Sequence, residues 1–427
     1  MDSLYYERNR NKSFFLFLGI TLLLLYQDLL QQYVPVFKSV DEFIGFVFLP
    51  VVFILYIYKN EKLYKEEQII IFLYILFILT GIISSLVNKF QSLSAAISDL
   101  VIVSKFLGGY FFARICFGGV ILMDYRKYIR ATFRTITTVT FVITLLDIIF
   151  NVFPKGDKRF FMHSEKLFFS HPTYLALFCV VTLTYLTLVF ENRLTDYIYL
   201  LQIILVCVST FRMKAIGMVI IYLLFLTPLR KLKYIKAVTV IAAAIVIISC
   251  IIPQINAYYF DSDDSPRNLL TSTGIKIAND YFPMGSGFGT FGSYISGAAY
   301  SPLYNMYNLS STWGLTKNNP FFISDTFWPM ILGQFGYMGL FLFILVILQF
   351  SLLIKKLRDF DSNILLFCLI PFIYLLVSST SESSFANYYS VNLFMIIGVA
   401  VSQTRQVNHL HNDASKIIKK GGLECQR

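Results

Sequence analysis

Charged residues are scarce in this sequence: Asp, Glu, Lys and Arg make up only 14% of its 427 residues. Hydrophobic residues make up 56%, and the mean hydropathy is +0.66. A water-soluble fold of this length could not bury so much apolar surface, so the shortage of charge argues against a soluble protein. The sequence therefore predicts an all-α integral membrane protein.

Metal-binding and nucleotide-binding patterns are also missing. The chain has four histidines and six cysteines, with no CxxC pair and no His/Cys cluster, which argues against a zinc site or a disulfide framework. The glycine-rich run 285–289 lacks both the GxGxxG spacing and a following Lys-Ser. Asp261 and Asp263 have a DxD spacing, which we interpret as the solvated flank of a helix. We expect neither a metal nor a cofactor.

A cleavable leader is not indicated either. Met1 to Lys12 is a basic arm, and the apolar run after it has no small-residue cleavage site. The formal net charge is +11. In a membrane protein such an excess belongs on cytoplasmic loops, so nucleic acid is not implied as a partner.

Apolar runs that could cross the lipid bilayer recur along the chain. A span needs about 20 residues. The stretch 197–228 is interrupted by Arg212 and Lys214, and we interpret it as two short spans. We predict twelve spans: 14–30, 43–58, 68–87, 97–120, 132–153, 172–190, 197–211, 215–228, 237–253, 326–354, 363–380 and 389–403.

Lysine and arginine clusters give this arrangement an orientation. With twelve spans, the clusters at 8–12, 59–65, 126–134, 230–236, 355–358 and 416–420 all fall on one side. By the positive-inside rule that side is the cytoplasm, and both termini lie there. The external side receives 31–42, 88–96, 154–171, 254–325 and 381–388. No internal repeat is visible.

The longest polar interval, 254–325, is too long for a simple connector. Its tyrosines, its glycines and Trp313 indicate a folded external module. We divide the chain into spans one to nine (1–253), this module (254–325), spans ten to twelve (326–403) and a cytoplasmic tail (404–427).

Ionisable residues on the predicted external side are candidates for a functional site. A cation at the centre of a span costs roughly 2.5–3.5 kcal/mol, so Arg212 and Lys214 point to function, or to snorkelling if they lie near the interface. Ser265 and Pro266 predict the start of a helix that ends at Asp280. Arg267, at this helix start, could bind a phosphate or be a solvated charge.

Further candidates are weaker. His171, at the start of span six, could act as a base near neutral pH or be an interface residue. Glu382 lies at a span mouth and is either solvated or functional. Gly285 and Gly287 could form a backbone nest for a phosphate, or a plain tight turn.

Several stretches together carry a resemblance to a known family. Arg267 is followed at 283–291 by Pro-Met-Gly-Ser-Gly-Phe-Gly-Thr-Phe; Asp325 precedes an apolar run that ends in a Gly-x-x-Gly; Thr-Phe-Arg-Met-Lys-Ala stands at 210–215. These stretches, with a weaker match at 169–174, resemble the O-antigen ligase / Wzy-type polysaccharide polymerase family. The family's ligases carry a histidine where this chain has Asp325, which favours a polymerase.

The resemblance implies a twelve-span, GT-C-like, metal-independent glycosyltransferase that joins undecaprenyl-pyrophosphate-linked oligosaccharide repeats into capsular or O-antigen polysaccharide. It implies the external face of the bacterial cytoplasmic membrane, with a flippase and a chain-length regulator as partners. Because the pyrophosphate leaves with negative charge, Arg212, Lys214 and Arg267 are expected to face it. Asp325 is the first candidate for the base and His171 the second. The alternatives are a ligase-type transferase of the same family and a lipid-linked oligosaccharide flippase.

Overall fold

The computed structural model describes residues 2–59, 62–159, 162–226, 252, 265–359 and 361–404. These parts are mostly helical, as the all-α class predicts, with one short β-hairpin of Lys158–Arg159 and Met162–His163. The longer helices are α1 (Asp2–Leu25), α2 (Gln27–Tyr33), α3 (Leu49–Lys59), α4 (Lys65–Asn88), α5 (Leu93–Cys116), α6 (Arg126–Phe150), α7 (Pro172–Leu188), α8 (Leu194–Ser209), α9 (Met213–Leu226), α10 (Pro266–Asp280), α11 (Trp328–Lys356), α12 (Ser362–Ser378) and α13 (389–404).

Long apolar helices dominate the described part of the chain. Five of them could cross a membrane by length and composition, namely Pro35–Lys59, Lys65–Asn88, Leu93–Cys116, Leu122–Phe150 and Trp328–Lys356. A sixth candidate is the α1–α2 pair, which bends by 66°. The remaining predicted runs within the described ranges coincide with shorter helices (α7, α8, α9, α12, α13), and run 237–253 lies outside those ranges except for residue 252. The count of twelve crossings stays a prediction.

The central helix of the bundle is α7. From Leu175 to Leu188 every residue of this helix is buried. Because this stretch is buried on every side, the helix packs against neighbours in every direction. Helices α6, α8 and α12 contact it. The start of α7, where His171 lies, is therefore held in the middle of one end of the bundle.

The described part of the large loop, 265–325, packs around a hydrophobic cluster of its own. This part begins with α10, and the Ser265 hydroxyl accepts a hydrogen bond from the Asn268 N–H at 3.3 Å, so the predicted cap and both helix boundaries are confirmed. The cluster joins α10 to the turns that follow it. Its fully buried members are Leu270, Ile277, Phe291, Leu303, Tyr304, Leu309, Leu315 and Ile323.

The glycine-rich turn after α10 docks the loop onto the bundle at a break in α11. Gly336 has φ +62° inside α11, a value that only glycine adopts readily, and the helix kinks there. The break frees backbone carbonyls: Gly333 O accepts from Ser286 N at 3.0 Å and Gln334 O accepts from Gly287 N at 2.8 Å. The loop and the broken helix thus satisfy each other's backbone groups.

Contacts between loops fall into two sets that match the two predicted sides. One set joins predicted cytoplasmic segments through Arg10–Asp124, Arg134–Asp196 and Lys356–Glu66. The other set joins predicted external segments through Gln32–Phe168, Arg212–Asp157 and Ser383–Ser324. The alternation of loops predicted from charge is therefore consistent with how the loops meet in space.

Candidate functional site

A cavity of about 690 Å³ lies at the end of the bundle where the predicted external loops meet. Its lining comes from segments that are far apart in the chain. Six of the residues singled out in the sequence line it: His171, Arg212, Lys214, Arg267, Asp325 and Glu382. The fold thus brings together candidates that sequence spacing alone did not connect.

Helix ends and helix breaks position these side chains. His171 caps α7, and Arg212 lies in the break between α8 and α9, which confirms two helices in 197–228. Lys214 follows that break, and Arg267 is in the first turn of α10. The three cations therefore project from helix starts, where backbone N–H groups also favour anions.

Arg267 and Asp325 come from opposite ends of the large loop and form an ion pair. The Arg267 Nη2 donates to the Asp325 Oδ2 at 2.9 Å, and the side chains are 21% and 31% exposed. The loop therefore folds back across the mouth of the bundle, as the joint use of these two residues requires.

Glu382 places a second carboxylate beside this pair. The Lys214 Nζ lies 3.4 Å from the Glu382 Oε1, and the Tyr389 hydroxyl donates to the same oxygen at 3.0 Å. The Ser383 hydroxyl donates to Ser324 O at 2.8 Å, which ties the α12–α13 turn to the residue before Asp325. The two carboxylates are thus fixed relative to each other by a short link.

His171 and Arg212 form a third group. The Arg212 Nη2 lies 3.1 Å from the His171 Nε2, and because a guanidinium only donates, this histidine nitrogen is the acceptor. Arg212 also lies 3.5 Å from the Asp157 Oδ2. Buried Asp28 accepts from the N–H and hydroxyl of Ser170 at 2.8 and 2.7 Å, which holds the residue before His171.

Positive and negative side chains balance in the cavity wall. Each cation assigned to a pyrophosphate in the sequence, Arg212, Lys214 or Arg267, has a carboxylate within 4 Å. The charged lining comprises the cations Lys38, Lys105, Arg212, Lys214 and Arg267 and the carboxylates Asp41, Glu42, Asp157, Asp325 and Glu382. An anionic ligand would therefore exchange with carboxylates rather than meet bare positive charge.

The pKa of Asp325 is shifted in the direction expected of a carboxylate in a partly dehydrated site. Burial raises its pKa above the usual value for aspartate, Arg267 and Lys214 oppose the rise, and the like charge of Glu382 adds to it. A carboxylate with a raised pKa is a stronger base than an exposed one. The geometry therefore suits Asp325 to accept a proton inside the cavity.

Gly285 and Gly287 lie outside the cavity lining, in the docking turn. Their N–H groups donate to Tyr281 O at 2.9 Å and to Gln334 O at 2.8 Å. A Cβ on Gly287 would lie 2.6 Å from the Ser85 hydroxyl oxygen. The proposed phosphate nest does not fit this arrangement, because its donors already hold the loop against α4 and α11.

The sequence interpretation missed a group of lining residues in the N-terminal part of the chain, including Gln27, Asp41 and Lys105. One signal was present: Lys105 is a cation inside the apolar run 97–120, where a charge is costly. The same rule was applied to Arg212 and Lys214 but not to Lys105. The partner Asp41 lies in a predicted external loop and gave no signal.

Ligands for a metal ion do not converge in the described residues, where no group of three or more His, Cys, Asp or Glu side chains could hold one. Asp261, Asp263 and Asp264 lie outside the described residues. What the cavity offers is paired cations, two neighbouring carboxylates and many hydroxyl groups, a set suited to an anionic, hydroxyl-rich ligand.

Comparisons of the sequence with protein-family models and with characterised proteins give no match.

Proposed function

We propose that the chain is a membrane glycosyltransferase that polymerises oligosaccharide repeats carried on undecaprenyl pyrophosphate. The observation that supports it is the convergence of Arg212, Lys214, Arg267 and Asp325 on one cavity at the predicted external end of the bundle. The family resemblance supplies the substrate class. Two of the long apolar helices, α5 and α11, contribute Ile102 and Met330 to the cavity wall and could border a polyprenyl tail.

In the proposed reaction an acceptor hydroxyl attacks the anomeric carbon of the donor sugar. The bond from that carbon to the pyrophosphate oxygen breaks, and its electron pair leaves with the lipid pyrophosphate. Asp325 takes the hydroxyl proton, a role worth roughly 10²–10⁴ in rate. Arg267, with Arg212 and Lys214, stabilises the developing charge, and removing one such donor typically costs about 10²–10³.

The first test replaces the two ends of the Arg267–Asp325 pair. Arg267→Ala and Asp325→Asn should leave single repeats on the lipid carrier and no long polymer, at normal protein level in the membrane. Arg267→Lys should restore little, because a point charge does not reproduce the guanidinium fork. The measurement is the length distribution of lipid-linked glycan in cells and with purified protein.

The chain offers a matched control in another arginine–aspartate pair. Arg10 and Asp124 lie 3.1 Å apart at the other end of the bundle, with side chains 29% and 43% exposed. Arg10→Ala and Asp124→Asn should leave polymer length unchanged. Full-length polymer from both Arg267→Ala and Asp325→Asn would rule out the proposed site, and single repeats accumulating on the cytoplasmic face would support the flippase alternative.

A further inference from the structure

An ion pair lies deep in the first half of the bundle, in the wall of the same cavity. Lys105 follows Leu93, the first residue of α5, by twelve positions, a rise of roughly 18 Å. Its Nζ lies 2.6 Å from the Asp41 Oδ2, and the two side chains are only 6% and 2% exposed. Both residues line the cavity.

Close backbone approach holds this pair in place. Asp41 precedes a π-helical stretch, Phe43–Val47, that packs directly on α5. A Cβ on Gly108 would lie 1.4 Å from Gly45 O, so only glycine fits there. The chain therefore presses the segment that carries Asp41 against the helix that carries Lys105.

Packing alone does not account for charges at this depth. Taking two charges out of water is costly, and exchanging a buried ion pair for apolar residues of similar volume is often neutral or stabilising. Ionisable groups inside a membrane protein therefore usually mark a ligand path or a binding site. That reasoning applies to Asp41 and Lys105 because they face a cavity.

Gln27 gives an independent sign of a ligand site. It follows the 66° bend between α1 and α2, is 1% exposed and lines the cavity. Its Nε2 donates to the Asp41 Oδ1 at 2.6 Å, but its Oε1 has no hydrogen-bond partner among the described residues. A buried acceptor without a donor is unfavourable until a donor arrives.

We propose that Gln27, Asp41 and Lys105 form a subsite that binds hydroxyl groups of a sugar in the transferred glycan. The Gln27 Oε1 accepts from one hydroxyl, while N–H groups of the Lys105 ammonium that do not bond Asp41 donate to an oxygen. Sugar hydroxyls both donate and accept, so one ring satisfies both groups. This inference rests on the proposed function for the source of the sugar, and it assigns binding rather than chemistry.

The test measures binding of two separate probes to the purified full-length protein. One probe is the free oligosaccharide released by mild acid from the cells' lipid-linked repeats, and the other is a prenyl pyrophosphate without sugar. Gln27→Leu and the double variant Asp41→Leu with Lys105→Met remove the polar groups and keep the volume. We expect each to weaken oligosaccharide binding about 10-fold or more, as for lost hydrogen bonds to a charged network, and to leave prenyl pyrophosphate binding unchanged.

Gln202 supplies the matched control. It lies on α8, its Oε1 is also buried without a partner among the described residues, and it is not in the cavity lining. Gln202→Leu should bind both probes like the wild type. Thermal unfolding of every variant checks that the protein is folded.

The possible outcomes separate the subsite from the proposed function. Wild-type affinity for the oligosaccharide in folded Gln27→Leu and in the folded double variant overturns the subsite, whether or not the protein polymerises. Absence of oligosaccharide binding by a wild-type protein that does polymerise overturns it as well. A wild-type protein that binds oligosaccharide through these residues but forms no polymer from lipid-linked repeats keeps the subsite and rejects the polymerase.

Discussion

The surroundings of Asp325 shift its pKa and therefore predict how the proposed reaction depends on pH. Burial raises its pKa, the cations of Arg267 and Lys214 lower it, and the carboxylate of Glu382 raises it. In the proposed reaction Asp325 must be deprotonated to act as the base, so polymerisation should fall on the acid side at a pH above that expected for an ordinary aspartate.

Two charge-removing variants should move the acid limb of the pH–rate profile in opposite directions. Arg267→Gln removes a charge that lowers the pKa of Asp325, so the limb should shift to higher pH. Glu382→Gln removes a charge that raises it, so the limb should shift to lower pH. The measurement is the initial rate of polymerisation by purified protein against pH, and the position of the limb, not its height, is compared.

Shifts in the same direction, or no shift, would show that Asp325 is not the titrating base. Arg10→Gln serves as the control, because it removes an arginine paired with a carboxylate at the other end of the bundle and should leave the limb unmoved.

At the residue scale, site residues could be predicted where a charged side chain interrupts an apolar stretch, because a charge there costs free energy. Arg212 and Lys214 interrupt an apolar stretch, and both line the cavity. Pairing could not be predicted, because Arg267 and Asp325 are 58 positions apart and meet only when the loop folds back. Gly285 and Gly287 left two interpretations open for a related reason, because a turn rich in N–H groups has the same sequence pattern whether those groups face a phosphate or a broken helix.

At the scale of elements, α11 and the docking turn depend on each other. Gly336 sits at φ +62°, and a Cβ there would lie 2.2 Å from Pro283 O. Gly285 approaches from the other side, where a Cβ would lie 2.4 Å from Gly336 N. Neither position accepts a side chain without backbone movement.

Gly336→Ala should therefore destabilise the protein by about 1–3 kcal/mol, since it combines an unfavourable φ with a clash against backbone. Gly19→Ala is the control: Gly19 lies in α1 with no atom within 4 Å of an added Cβ, and this change should be neutral or slightly stabilising. The measurement is thermal unfolding in detergent. Equal unfolding temperatures for the two variants would contradict the mutual dependence of α11 and the docking turn.

The lengths of apolar runs predicted where helices lie, because apolar runs in a membrane protein have few alternatives to helix. The same reasoning predicted the break between α8 and α9, where charges interrupt an apolar stretch, but it did not predict two other breaks. Run 14–30 contains a 66° bend, and run 43–58 begins with a π-helical stretch. Both breaks lie next to polar residues of the cavity wall, and the second packs against a distant helix, with Gly45 on Gly108.

At the scale of the whole molecule, the two sets of loop contacts divide the bundle into two ends. Lys127 lies in the basic cluster 126–134, which is predicted to face the cytoplasm, and Asn305 lies in the large loop. Both residues are exposed. We expect Asn305→Cys to react with a membrane-impermeant maleimide in intact cells, and Lys127→Cys to react only after the membrane is opened.

The wild type is the background for this labelling, because it measures the label taken up by the native cysteines; of these, Cys179, Cys207 and Cys368 are buried and Cys116 is partly buried. Labelling of Lys127→Cys but not Asn305→Cys in intact cells would reverse the orientation. Labelling of both would mean that the number of crossings between them is even.

The balance of charge in the cavity wall bears on turnover. If the ligand is the proposed pyrophosphate, it competes for Arg212, Lys214 and Arg267 with the carboxylates that already pair with them. A cluster of bare cations would retain a spent lipid pyrophosphate tightly, because nothing in the site could replace it. In the proposed reaction each carboxylate would return to its partner as the product departs, which favours release of the lipid pyrophosphate from the cavity before the next repeat binds.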